Sequence, residues 1–310
     1  MTPATNGHPL FMTSLPAHHL KSPRIGVLVN NYNNGPWLRT CLDSVLSQTR
    51  SPDEIIVYDD GSIDDSLVIL RSYGPAIHLI AGVHNHALTS IECQARAIHY
   101  AFEASTADHL YLLDGDDVFS PHKIANYEEA WHRCPDAVLA QAPTSLINEL
   151  GEFQRDGYET IKHPQNGDFL AGTYQTQDTD LYYSTSALAF RRDYLSQILP
   201  LDFSDGIRLG ADNRLAAIAP LFGPVVSLTE SLTLWRQHDQ SLSRQGDQRS
   251  PLAGTLRRHR YFNACIRRFG QRPIHLWKNP RYFRQVARKL LPAWISSPFA
   301  HNPAGKRPPE

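Results

Sequence analysis

From Arg24 onward, short apolar runs alternate with stretches whose apolar residues recur every three to four positions. Arg24–Asn30 reads as a buried strand. Pro36–Gln48 places Trp37, Leu38, Cys41, Leu42, Val45 and Leu46 at helical spacing, with Pro36 in the first turn, where its missing N–H is harmless. The alternation continues with strands at Glu54–Tyr58, Ala76–Ala81 and His109–Leu113, and helices at Asp64–Tyr73, Thr89–Ala104 and His122–Arg133. Ala137–Ala140 is a further strand. Between about 141 and 190 the pattern weakens; helical spacing returns at Arg191–Leu199 and Asp212–Leu221, and Val225–Leu234 reads as a late strand. Strands alternating with helices predict βαβ units and a parallel sheet with right-handed crossovers. Ligands of such sheets bind at the carboxyl ends of the strands.

Composition narrows the class. With 310 residues, 41% of them hydrophobic, the chain can bury a full core, which excludes fibrous and wholly disordered readings. No apolar run of 18 residues predicts a membrane-spanning helix, and the first residues lack the apolar core of a secretory leader. Cys41, Cys93, Cys134 and Cys265 show no CxxC spacing, so they read as reduced cytosolic thiols, with neither a zinc site nor a disulfide frame implied.

Charge is unevenly spread. Residues 1–247 hold 16 basic and 30 acidic side chains, whereas 248–309 hold 14 basic and no acidic ones. Two readings stay open: the basic tail packs on the acidic body, or it rests on an anionic membrane surface, where Tyr282, Phe283, Val286, Leu290 and Leu291 would form the apolar stripe of a basic helix. No nucleic-acid module is present and the body is acidic, so nucleic acid is not expected as a partner.

Three loops that follow strands are polar: Asn30–Gly35, Asp59–Ser62 and Asp114–Asp117. Asp114-Gly-Asp116-Asp117 gathers three carboxylates whose repulsion a hard divalent cation, Mg²⁺ or Mn²⁺, would relieve; the alternative is a turn with local backbone bonds. Asp59-Asp60-Gly61-Ser62 ends another strand, where Asp60 can accept from a base or ribose, or simply cap the next helix. Asp212 opens an apolar helical stretch and is either an N-cap or a general base. His238 follows Trp235-Arg236-Gln237; most of the 15 histidines, His84, His86, His99 and His109 among them, carry no assignment from sequence.

In this order the motifs resemble family 2 glycosyltransferases, nucleotide-diphospho-sugar transferases of the GT-A fold. The resemblance rests on Val27–Asn34, Leu42–Thr49, Glu54–Ser62 with Asp64, and Leu112–Asp117, covering roughly 24–140 well and 185–245 more loosely. The chain departs from the family at Asn30, where Pro is frequent, at Asn85-His86-Ala87, at Ala95-Arg96-Ala97, and at Ala211, where an acid usually precedes the base. The resemblance implies an α/β GT-A (Rossmann-like) fold, with a mixed, mostly parallel sheet flanked by helices and a basic helical C-terminal extension. It divides the chain into a flexible arm (1–23), a catalytic domain (24–245, with a nucleotide-sugar half at 24–140 and an acceptor half at 141–245) and the basic extension (246–310).

It further implies an inverting, metal-dependent transferase that moves a sugar from a nucleotide diphosphate sugar, a UDP-sugar favoured, to the hydroxyl of a glycan or lipid-linked acceptor in cell-surface glycan synthesis. Asp212 is the expected base. Asp114, Asp116 and His238 are the expected metal ligands. Asn31, Tyr32, Asp59, Asp60, Arg96, Asp114 and His238 are the expected donor contacts. Tyr174, Tyr182 and Tyr183 either stack on sugars or belong to the core. The expected location is the cytoplasm, with a peripheral position on the inner face of the cell membrane left open by the tail. Two alternatives stand beside this: a nucleotidyltransferase, disfavoured because Asn30–Pro36 holds no Lys or Arg, and a non-catalytic nucleotide-sugar-binding protein, disfavoured by retention of the acidic set.

Overall fold

The computed structural model describes residues 22–156, 182–207, 209–239, 251–270, 272–278, 282–283 and 286–287. Strand β1 (Ile25–Asn31) lies within a seven-stranded sheet and pairs in parallel with β2 (Glu54–Asp59) and β4 (His109–Asp114). β3 (His78–Ala81) extends the sheet beyond β2. On the other side, β9 (Leu188–Arg191) runs antiparallel between β4 and β6 (Leu139–Gln141), and β10 (Val225–Ser227) closes the edge in parallel with β6. The sheet is therefore mixed and mostly parallel.

Alternation along the strands sets the two core faces. Val27, Val29, Tyr111 and Leu113 pack against α1 (Gly35–Leu46), α2 (Ser66–Ser72) and α4 (Lys123–Arg133). Leu28, Ile56, Leu110 and Leu112 face α3 (Ser90–Ala104), α5 (Arg192–Ile198) and α6 (Ala211–Ala216). Strands buried on both faces carry nearly continuous apolar runs, as their sequences do. Truncating Leu112, which is fully buried, to alanine would cost about 2–5 kcal/mol.

A second, four-stranded sheet has the order β5 (Val118–Phe119), β11 (Thr233–Arg236), β7 (Thr144–Ile147), β8 (Phe153–Arg155). It corrects one expectation. The late strand expected at Val225–Leu234 is two strands in two sheets. The chain leaves β10 at Leu228, whose N–H donates to Gln141, and reaches the second sheet at Leu232, whose N–H donates to Pro143.

Part of the basic extension belongs to the core. Helix α7 (Pro251–Arg268) buries Tyr261, Phe262 and Ile266 in the cluster that holds α5 and α6, while Arg260, Arg267 and Arg268 stand exposed. Over this helix, the intramolecular reading of the tail holds. Arg281, Arg284, Arg288, Leu290, Leu291 and Trp294 lie outside the described residues, as do the arm at 1–21 and Tyr174. Tyr182 and Tyr183 are buried in the core cluster, which places them in the core rather than on a sugar-facing surface.

Candidate active site

Register places the polar strand ends side by side. Asn30 is opposite Asp114, and Asn31 is opposite Asp59. Asn30 Nδ2 donates to Asp114 Oδ1 at 2.7 Å, so the asparagine that stands where the family often has proline orients the first acid of the Asp114–Asp117 loop. Gln94 Nε2, from α3, donates to the same oxygen at 2.9 Å, and Ser186 Oγ accepts from the Asp114 N–H at 3.0 Å. A side chain at Gly115 would come within 2.7 Å of Asn31 Oδ1, so the loop passes this close to β1 only because glycine stands there.

The second sheet brings His238 to this loop. Its Nε2 lies 2.8 Å from Asp116 Oδ2, and its ring packs 3.9 Å from that of Trp37, whose Nε1 donates to the Glu149 carbonyl at 3.1 Å. Arg236, buried just before it, donates from its backbone N–H to Asp117 Oδ1 at 2.8 Å and from Nε to the Asp116 carbonyl at 2.8 Å. Lys123 is fully buried beneath, donating from Nζ to the Ser186 carbonyl at 2.9 Å and Thr233 Oγ1 at 2.7 Å. Gln94, Trp37, Lys123, Ser186 and Arg236 are site residues that sequence reading misses. Trp37 and Lys123 sit on helices where period alone marks them as core or surface, and Arg236 lies in a strand too short to register.

Carboxylates crowd here. Burial, then the Asp116 charge, pushes Asp114 up to about 7 against the hydrogen bonds of Asn30 and Gln94. Burial, then Asp116 and Asp114, raises Asp117 well above the ordinary carboxylate value. Asp212 sits at the start of α6, behind Gly210 at the N-cap position, and burial raises its carboxyl too. Its charge reaches Asp114 and contributes to raising it. Asp212 Oδ1 accepts from the Asn213 backbone N–H at 2.6 Å and from Nδ2 at 3.0 Å. It is therefore not the helix N-cap that its sequence position also allowed.

At the ends of β2 and β3 the picture is mixed. Asp60 is buried; its Oδ2 lies 2.8 Å from His84 Nδ1, and its Oδ1 accepts from Arg96. Tyr32 is 38% exposed, leaving ring surface for a ligand, and it stacks on His84 at 4.2 Å. Asp59 and Asn31 are different. Asp59 is fully buried and accepts from Asn31 Nδ2 at 2.7 Å, from the Ser62 hydroxyl at 2.6 Å and from the Ser62 N–H at 2.9 Å. Asp59 spends both oxygens on the turn that aims Tyr32 and Asp60, and Asn31 gives its Nδ2 to the same turn while its buried Oδ1 has no hydrogen-bond partner among the described residues. Gly61, at φ 74°, makes that turn possible, and a side chain there would meet the His84 N–H. His84, unassigned from sequence, is part of the site.

Residues 27–199 match the family described as Glycosyl transferase family 2. The chain belongs to glycosyltransferase family 2. This family 2 glycosyltransferase is 28% identical over 270 residues to the uncharacterized glycosyltransferase alr2836 of Nostoc sp. (strain PCC 7120), a match spanning 84% of the chain and 81% of the relative. Its fold resembles that of S. aureus TarS 1–349 solved in complex with UDP, with a TM-score of 0.57 at 15% identity over 86% of this chain and 71% of that one. It also resembles the mannosyltransferase PcManGT from Pyrobaculum calidifontis, solved with GDP-Man and Mn²⁺, with a TM-score of 0.52 at 16% identity over 86% and 70% of the two chains. The GT-A fold expected from sequence is thus the fold of its structural neighbours.

A divalent metal fits the residues of this glycosyltransferase. Three carboxylates lie within four positions, one of them raised to about 7 by burial and then by its like-charged neighbour, and an imidazole nitrogen faces Asp116 Oδ2. Oxygen donors joined by one imidazole suit Mn²⁺ or Mg²⁺.

Proposed function

We propose that the enzyme transfers a sugar, with inversion at the anomeric carbon, from a nucleotide diphosphate sugar to an acceptor hydroxyl. A single observation carries this reading: Asp114, Asp116 and His238 gather at the ends of β4 and β11, with Asp212 close enough for its charge to reach Asp114. Asp116 and His238, with Asp114 beside them, would hold Mn²⁺ or Mg²⁺, which as a Lewis acid neutralises charge developing on a leaving diphosphate. Asp212 accepts the proton of the attacking hydroxyl; its raised carboxyl makes it a stronger base than a surface aspartate. Tyr32 offers its exposed ring to the nucleobase, and Asp60 with Arg96 supplies one acceptor and one set of donors at its edge. A uracil has both a donor and an acceptor on that edge, which favours a UDP-sugar; the UDP complex of TarS is consistent with this.

The acceptor is a glycan or a lipid-linked saccharide of cell-surface synthesis, taken up by cytoplasmic enzyme at the inner face of the membrane. Trp277 is 63% exposed and Phe283 51% exposed, and Lys278 directly follows Trp277 in sequence. Aromatic rings beside cationic side chains suit an anionic headgroup layer. No helix among the described residues is long and apolar enough to cross a membrane.

The decisive experiment incubates the protein with UDP-, GDP- and dTDP-sugars plus Mn²⁺ and measures nucleotide release. Release from one class, abolished by EDTA, supports the reading; release undiminished in excess EDTA refutes metal dependence. Product anomers assigned by NMR test inversion, and co-sedimentation with anionic vesicles at low salt tests the membrane contact.

A further inference from the structure

Three side chains with metal-ligating atoms meet at a point that the transfer chemistry does not use. Asp60, at the end of β2, His84, after β3, and Cys93, in the first turn of α3, bring one carboxylate oxygen, one imidazole nitrogen and Sγ all within 4.8 Å of one another. Asp60 is 3% exposed and Cys93 6%, while His84 keeps one-fifth of its side chain open to solvent. The site lies beyond Asn30 and Asn31 from Asp116, on strands β2 and β3 rather than β4 and β11.

We propose that Asp60, His84 and Cys93 form a second metal site, for a thiophilic divalent ion of the zinc class, and that its occupancy excludes the nucleobase from the donor pocket. The ligand set decides the class of ion. One thiolate, one imidazole and one carboxylate match zinc, whereas Mg²⁺ and Mn²⁺ prefer all-oxygen or oxygen-rich shells. Bond lengths of about 2.0–2.3 Å put the ligand atoms of a tetrahedral zinc roughly 3.3–3.8 Å apart. The three atoms lie within an adjustment of about one ångström of that shape, and the fourth position is left for water.

The surroundings hold the three in place. Arg96 donates to Asp60 Oδ1 and to the Val83 carbonyl at 3.0 Å, which orients the carboxylate and leaves Oδ2 toward His84. Groups that orient a ligand in this way tune a metal site. Cys93 is fixed by the N-terminus of α3, where Thr89 and Glu92 cap each other reciprocally. The Gly61 turn runs close against the His84 backbone, and the His84 ring lies flat on Tyr32. On binding, the Cys93 S–H bond breaks, a sulfur–metal bond forms, and the proton goes to water; no redox step is involved. The two anionic ligands and the dication sum to zero, so Arg96 faces a neutral centre.

Exclusion of the base rests on the placement of the nucleobase beside Tyr32 and Asp60 proposed above. An ion bound to Asp60 Oδ2 takes the acceptor that the base edge would use. A thiophilic ion would then act as a competitive inhibitor of donor binding, at a site separate from the Asp116 metal.

The test titrates the metal-stripped full-length protein with Co²⁺ alone and follows the near-ultraviolet thiolate-to-cobalt absorption band, alongside circular dichroism of each variant. One equivalent of cobalt should produce the band in wild type and in Asp116→Ala, and Cys93→Ser should lack it. His84→Ala should need at least ~10-fold more cobalt, the loss expected when a metal site is weakened. Absence of the band in wild type, or its survival in Cys93→Ser, overturns the site. Uridine, which has no phosphate to chelate cobalt, should abolish the band at saturation. If uridine binds by calorimetry and leaves the band intact, exclusion is overturned. If uridine fails to bind the cobalt-free protein, the placement of the base fails, while the cobalt results still decide the metal site.

Discussion

His238 Nε2 lies 2.8 Å from Asp116 Oδ2, across 122 positions of sequence. In the free protein the imidazole holds the carboxylate whose charge presses on Asp114 and Asp117, and Trp37 packed on its ring keeps it there. The same two groups would present two donors to one ion. Removing either should therefore separate folding from turnover.

Asp116→Asn should lower sugar transfer at least ~100-fold, since a Lewis-acid contribution of several kcal/mol is removed. The metal-free variant should melt no lower than wild type, because the substitution removes a charge that raises both Asp114 and Asp117. Relief of about 1 kcal/mol would raise Tm by roughly 2–4 °C in a chain of this size. Activity assays paired with thermal denaturation in EDTA check this; loss of both activity and stability would make Asp116 a structural residue.

Asp212→Asn should leave the donor KM near wild type and cut kcat at least ~100-fold, the lower range for acid–base catalysis. The base acts when ionised, and burial raises its carboxyl above 3.8, so kcat should climb with pH on an acid limb centred above that value. The pH profile of kcat at saturating donor measures it. A variant that keeps its specific activity and acid limb would remove Asp212 from the chemistry.

Glu54 offers a pH-dependent contribution to stability. Burial acts to raise its carboxyl, but hydrogen bonds from the Ser105 hydroxyl and from the Thr106 and Ala107 N–H groups outweigh it and hold the group below 4.5. A carboxyl lowered on folding stabilises the fold above its unfolded value and loses that contribution as pH falls through the folded one. Glu54→Gln should cost about 1–3 kcal/mol at pH 7, the range for hydrogen bonds to a charged acceptor, and the difference should shrink toward pH 3. Urea denaturation at the two pH values reads it; an equal difference at both would assign the effect to packing.

Tyr261 links the basic extension to the helix of the proposed base. Its hydroxyl donates to the Arg214 carbonyl at 2.9 Å, and its ring lies 4.6 Å from the Arg214 guanidinium, which is itself paired with Asp205 and packed on Phe203. Tyr261→Phe should cost about 1 kcal/mol and Tyr261→Ala about 3–5 kcal/mol. Chain deletion from residue 251 onward should destabilise the catalytic domain further. A truncated protein with unchanged denaturation midpoint would show that α7 is a separate appendage.

The main sheet is legible in the sequence because its parallel strands are buried on both faces, so Ile25–Val29, Ile55–Tyr58 and Leu110–Leu113 are unbroken apolar runs. The second sheet is not. β5 has two residues and β8 three, all three of them exposed, and strands this short carry no readable alternation. Polar motifs show where a site is but not which oxygen is free. Asp59 and Asp60 are adjacent in sequence, yet strand pleating turns Asp59 into the Ser62 turn and Asp60 toward His84 and Arg96. His84 and Cys93 lie nine positions apart across a loop and a helix start, a separation that spacing rules for metal ligands do not cover.

β5 and β11 pair antiparallel at Val118–Phe119 and Thr233–Leu234, immediately beside the loops that carry Asp116 and His238. Tyr32, Asp60, His84 and Arg96 depend on neither strand. The site thus has two separate supports: the group that would handle diphosphate is stitched together by the β5–β11 pairing, and the group that would read the base sits at the ends of β1, β2 and β3 and on α3. Substitutions around His84 would therefore act on the base-reading group and leave the pairing that joins the Asp116 and His238 loops in place.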